Sequence, residues 1–295
     1  MPLKPIGELS LTRATAPDCA CVHGDSGRIV AACGASGALE VLDGAARCSI
    51  ATVPELPALR ELVALPGTDL VAAAPCDEPR VLLLDVLQAV LWGTLPVAGA
   101  PSSLAYDFVH GRLLALDAWQ GKAALFNVAA GRQTAAGGPL GHASWADYDP
   151  VRDCFWLLVA DPPRLVALSA EDLAVVTRLP LTAKRFSCLA LDSSRGVTYL
   201  ADGEARLTCC SLADGHELAQ LRLPHVPDAL RFNPKNGMLY ALSLDASELR
   251  SYRGPKLWAS ELLTTPPRVR AFACDFLRQR LYLFSDRKAL VLVTA

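Results

Sequence analysis

LLALDAWQGKAALFN, Leu113–Asn127, sets the pattern of the whole chain. An apolar run (Leu113–Leu116) meets a polar turn (Asp117–Lys122), and a second apolar run (Ala123–Phe126) ends on a small polar residue. The same shape recurs as IVAACGASGALEVLD (Ile29–Asp43), LVAAAPCDEPRVLLLD (Leu70–Asp85) and FWLLVADPPRLVALS (Phe155–Ser169). It continues as VTYLADGEARLTCCS (Val197–Ser211), MLYALSLDASELRSY (Met238–Tyr252) and LYLFSDRKALVLVT (Leu281–Thr294). These units end at Asp43, Asp85, Asn127, Ser169, Ser211, Tyr252 and Thr294, in steps of 42 residues with one of 41. A second marker keeps the same beat: Asp107, Asp149, Asp192, Asn233 and Asp275 each precede a unit, and His23 stands in the matching place before the first. A repeat of about 40–45 residues is the length of one four-stranded propeller blade.

Each unit supplies four short strands, A to D. Strand A leads to the marker, as in SLAYD (Ser103–Asp107) and CLALD (Cys188–Asp192). Strands B and C are the two apolar runs, and strand D follows, as in HELAQLRL (His216–Leu223). The runs are bounded by Gly, Pro, Asp and Asn and are too short for helices. The seventh unit stops after strand C, whereas LKPIGELSLT (Leu3–Thr12) at the N-terminus has the character of a D strand. The expected fold is all-β: a seven-bladed β-propeller of antiparallel four-stranded blades, closed when residues 3–12 complete blade seven. Residues 1–295 then form one domain. Closure of this kind removes an exposed sheet edge.

Composition narrows the function classes. The 295 residues are 52% apolar and 20% charged, with a net charge of −2, so no global field favours nucleic acid or an anionic membrane. Val81–Ala100 resembles a membrane span, but Asp85, Gln88 and Pro96 interrupt it and the repeat divides it into strands C and D of blade two. The N-terminus carries no secretory pattern. Ten cysteines lack any CxxC pair and stand mostly where other units have Ala or Val, so they are expected to be free thiols acting as apolar fillers in a cytoplasmic protein.

Candidate site residues come from two places. Strand A should line the central channel, and the positions two and four before the marker are small: Ala105 and Ser103, Ala190 and Cys188, Ala273 and Ala271. Trp145, Asp147 and Arg231 break that lining, and isolated charges there must meet water or each other. In blade two the marker loop reads as shorter, leaving open whether Glu61 or Arg60 faces the channel. The second place is one rim. The B–C turns carry carboxylates, for which turn geometry is sufficient cause. The D–A connections carry Arg60, His142, Lys184, Arg185, His225, Arg268 and Arg270, and with Trp119 and Trp145 these make a mixed binding surface. No GxSxG, HExxH, phosphate-binding glycine loop or EF-hand is present, and the five histidines are dispersed. No catalytic residue, metal or cofactor is assigned.

The segments DFVHGRLLAL (Asp107–Leu116), DSSRGVTYLA (Asp192–Ala201), NPKNGMLYAL (Asn233–Leu242) and DFLRQRLYLF (Asp275–Phe284) resemble the YVTN and NHL groups of propellers, within the wider WD-repeat-like architecture. The Tyr-Val-Thr-Asn tetrad and the Gly-His and Trp-Asp marks are absent. The resemblance implies a rigid binding platform; members of these groups also include RNA- or substrate-binding ends of ubiquitin ligases, lactonases and lyases. The leading expectation is a non-enzymatic module presenting the D–A/B–C rim to a protein partner. A hydrolase or lyase acting on a small polar ligand, through Asp147, Arg231 and His142 or His225, is the second. RNA binding on Arg60, Lys184, Arg185, Arg268 and Arg270 is the third.

Overall fold

The computed structural model describes residues 3–12, 17–33, 37–117, 119–182 and 185–294. Seven four-stranded antiparallel sheets follow one another around a ring, six of them in simple sequence order. Blade three shows the plan: Ser103–Asp107, Arg112–Asp117, Lys122–Asn127 and Arg132–Gly137 are strands A to D. Blade seven takes Ala271–Asp275, Arg280–Ser285 and Lys288–Val293 from the C-terminal end and its outer strand, Lys4–Ser10, from the N-terminal end. Leu9 lies opposite Ala289 and Ser10 opposite Lys288 in that closing pair. The chain is therefore a seven-bladed β-propeller.

Burial follows strand position. Strand B is covered on both faces by neighbouring blades and so reads as an unbroken apolar run; all six residues of Cys154–Val159 are buried. Strand D lies on the outside and alternates, as in Glu217–Arg222. Val81–Ala100 falls into strands Arg80–Asp85 and Val90–Pro96, and no helix is long and apolar enough to cross a membrane among the described residues. In blades one to six an irregularity between strands C and D shifts the register, in blade three at Leu125/Phe126, which adds twist toward the rim of each blade.

The core is distributed: one apolar cluster fills each of the seven seams between adjacent blades. The small A-strand residues acquire their meaning here. Ala105 packs against Ala146 and Tyr148 of blade four, whereas Leu104 and Tyr106 pack back onto blade two. Ala190 and Cys188 receive Leu230 and Phe232 of blade six, and the Phe232 ring stacks on Tyr199 with centroids 5.8 Å apart. The period-two split is thus large against small across each seam. It corrects the expectation that small residues mark a channel-facing row, because both rows reach the channel wall.

The polar marker has a backbone task. Asp149 is fully buried; its Oδ1 accepts from the Val151 and Arg152 amides at 3.0 and 3.3 Å, and its Oδ2 accepts from Arg152 Nη1 at 3.0 Å and Trp156 Nε1 at 3.2 Å. Asp192 and Asp275 repeat the pairing with Arg195 and Arg278, three residues on. The marker closes the A–B turn by satisfying amides that no strand partner reaches. Blade two puts Leu65 in this position. Its turn, between Leu65 and Leu70, has the same length as that between Asp107 and Arg112, so the shorter loop expected from sequence is not present.

Candidate functional site

Strand register places the channel residues. Counting back from the marker in hydrogen-bonded register, Glu61, Ser103 and Trp145 pair with Ala74, Leu116 and Leu158 and occupy equivalent positions in blades two, three and four. In blades two and four a bulge, at Leu59/Glu61 and Ala143/Trp145, adds one residue to strand A just before this position. Arg60 is the extra residue in blade two. It is exposed on the D–A/B–C rim, while Glu61 is drawn into the channel.

Two cavities occupy the channel. One of about 300 Å³ opens at the D–A/B–C rim and is bounded by Arg60, Asp18, Asp228 and Arg270. The other, about 380 Å³, runs past Asp147 toward Pro66, Phe108 and Phe276 at the A–B rim. Glu61, Trp145, Arg231 and Phe272 belong to both and form the boundary between them. The Arg231 guanidinium carbon lies 5.6 Å from the Trp145 ring centroid and 5.5 Å from that of Phe272, a cation–π arrangement that fixes the head group on aromatic surface. Its Nη1 donates to the Leu230 carbonyl at 2.9 Å.

Glu61 is tied to the two following blades. Its Oε2 accepts from the Leu104 amide at 2.8 Å, and the Ser103 hydroxyl also bonds to its carboxyl. Ser103 Oγ in turn accepts from the Ala146 amide at 3.2 Å. Burial lifts the Glu61 carboxyl to a pKa of about 7, against the lowering effects of the Leu104 amide and Arg231. Asp147, whose Oδ1 accepts from the Tyr148 amide at 2.9 Å, is likewise raised by burial to about 6, with that amide and Arg231 pulling it down. The channel thus carries two acids able to change charge near neutrality and one fixed cation, drawn from blades two, four and six. The Cys21 and Cys274 thiols on the same wall are pushed by burial up to about 12, which keeps them protonated and poor nucleophiles.

This arrangement has a pH consequence. Acids with raised pKa values bind protons more tightly in the folded chain than in the unfolded one. Their destabilising effect is absent at low pH, grows above about pH 4.5 and is complete above about pH 7. A unit of pKa corresponds to about 1.4 kcal/mol, so the rise of Glu61 from 4.5 to about 7 corresponds to roughly 3 kcal/mol. Glu61→Gln should therefore gain stability relative to wild type by about that amount between roughly pH 5 and pH 8, measured by denaturant unfolding. A pH-independent difference would show that Glu61 ionises normally.

The other sequence-selected residues lie outside the channel. Arg270 stands at the rim mouth 3.7 Å from Asp18, and Arg268 pairs with Asp286 at 3.3 Å. His142 and His225 are exposed and line neither cavity. Trp119 is 84% exposed and meets the His142 ring edge-on at 5.9 Å. Arg185 is exposed, and Lys184 lies outside the described residues. Of the set chosen from sequence, Trp145, Asp147 and Arg231 converge in the channel, Arg60 and Arg270 border its mouth, and His142, Arg185, His225, Arg268 and Trp119 stand on the rim.

Sequence reasoning left one feature undecided, Glu61 against Arg60, and did not single out another. Glu61 was obscured because Leu65 replaces the polar marker from which register is counted; the equal turn lengths were the available signal. On the opposite rim, His110 Nδ1 lies 2.9 Å from Asp107 Oδ2 and 3.6 Å from Asp153 Oδ1, and Tyr148 Oη donates to Asp153 at 2.9 Å. Asp107 there also caps the A–B turn through the Val109 and His110 amides. All ten cysteines are free, but only five are buried and Cys48 is exposed, so the filler role holds for part of the set. The sequence matches no known protein family and no curated protein.

Proposed function

We propose that the chain is a non-enzymatic binding module that docks a protein partner on its D–A/B–C rim. The observation that carries this reading is Trp119, a large aromatic side chain 84% exposed at the tip of a B–C turn, with His142 against its edge and no packing role. Aromatic and arginine side chains dominate binding hot spots, and Arg60 and Arg270 stand exposed on the same rim. The resemblance to YVTN and NHL propellers supports a platform role, and ten free thiols are compatible with a cytoplasmic one.

A hydrolase or lyase, lactonase-like in its use of a channel mouth, is favoured by one observation: Glu61, Asp147 and Arg231 do share a cavity. The histidines once expected beside them stand elsewhere. For RNA the support is weaker, since Arg268 and Arg270 lie next to Asp286 and Asp18.

The test is capture of partners by tagged protein from source extract, with protein and RNA analysed together. Trp119→Ala/His142→Ala should weaken the specific partner by about 30-fold or more, as loss of a hot-spot aromatic does. Val109→Asp/Val151→Asp, at exposed positions on the opposite rim, should leave it bound. A partner lost only in the second variant would place docking on the A–B rim.

A further inference from the structure

The channel residues pose a problem that the platform role does not solve. Arg231 shares a cavity with Glu61 and Asp147, yet no ion pair within 4.0 Å joins it to either among the described residues. Its one described hydrogen bond goes to the Leu230 carbonyl, leaving donors on Nε and Nη2 uncommitted. Those donors are not among the buried atoms and stay open to the channel, where water or a ligand can accept from them, whereas the Trp145 indole N–H beneath the guanidinium is sealed from it. Rigid strands of three blades hold a cation and two acids apart rather than together.

We propose that the channel binds a small zwitterion, an amino-acid-like molecule whose carboxylate accepts from Arg231 and whose ammonium faces Glu61 and Asp147. A planar guanidinium held over aromatic rings offers its in-plane N–H groups, the geometry that matches a carboxylate. The two acids supply the opposite charge on the facing wall. Ionised together they exceed the arginine by one charge; with one of them protonated the site is neutral overall and strongly dipolar, which suits a dipolar ligand. The cavity of about 380 Å³ that holds Glu61, Asp147 and Arg231 together accommodates a molecule of this size. The site goes beyond the platform reading and does not depend on it: the protein partner is assigned to Trp119 on the rim, the zwitterion to the channel behind it.

The experiment is titration calorimetry on the full chain with the common free L-amino acids. Each is compared with its decarboxylated amine and its deaminated acid. At least one zwitterion should bind, with both matched compounds weaker by about tenfold or more, the loss expected when one charged hydrogen-bonding partner is removed. Arg231→Gln should abolish binding. Because that change also removes two aromatic contacts, Glu61→Gln and Asp147→Asn are measured beside it, with circular dichroism and melting to confirm folding; each should weaken the zwitterion several-fold or more. Absence of binding by every amino acid in the panel would overturn the proposal. So would equal binding of the matched amine or acid, or binding undiminished in folded Arg231→Gln.

Discussion

Deleting residues 1–10 should abolish the cooperative unfolding transition, because it removes the outer strand that completes blade seven. Strand Lys4–Ser10 pairs along its length with Lys288–Val293. Leu9 is fully buried, with Leu11 beside it, in the seam that also holds Ile29 and Leu42 of blade one and Val291 of blade seven. The strand is also tied to its neighbours: Arg47 Nη1 of blade one donates to the Ile6 carbonyl at 2.7 Å, and the Leu3 amide donates to Glu261 of blade six at 2.6 Å. Its loss uncovers a ladder of backbone groups and the apolar face of the seam together. A milder variant gives a number. Leu9→Ala should cost about 3 kcal/mol in denaturant unfolding, within the range for a fully buried leucine. A cost below about 0.5 kcal/mol, the usual scale for surface changes, would mean that the strand does not close the ring.

The second large effect is expected at Asp149. Replacing it with Ala leaves the buried Trp156 N–H and two turn amides without their acceptor and strands the Arg152 guanidinium beside them. A buried donor left without its acceptor costs about 1–3 kcal/mol, so losing the acceptor of these three should cost on the order of 3 kcal/mol or more by denaturant unfolding. Arg152→Ala should cost under about 1 kcal/mol, since the arginine is a third exposed while Asp149 is not exposed at all. Equal costs for the two variants would show that the ion pair, rather than the capping of the turn and of Trp156, is what the marker supplies.

These two residues also show where sequence sufficed. The marker is visible because each turn needs an acceptor at one fixed place, so Asp or Asn recurs at the repeat period. Leu9 is visible because a seventh unit without a D strand and a seventh D-like strand at the other end have only each other. Glu61 shows the limit. It stands four residues before Leu65, the same offset as Ser103 and Trp145 from their markers, and an apolar marker does not stand out in a single sequence. Likewise the small A-strand residues reflect side chains arriving from the next blade, a contact some 42 residues distant in sequence that alternation within one strand does not disclose. Convergence of Glu61, Asp147 and Arg231 needed the ring itself, which sets blades two, four and six around one axis.

The claim on which the channel site rests is that Glu61 stands buried beside Asp147 and Arg231. A carbon-13 NMR titration of the side-chain carboxyls in glutamate-labelled protein measures it directly. Glu61 is identified as the resonance missing from Glu61→Gln. The structure predicts that this resonance titrates near pH 7. A midpoint near the ordinary glutamate value of about 4.3 would contradict the desolvated placement of Glu61 in the channel.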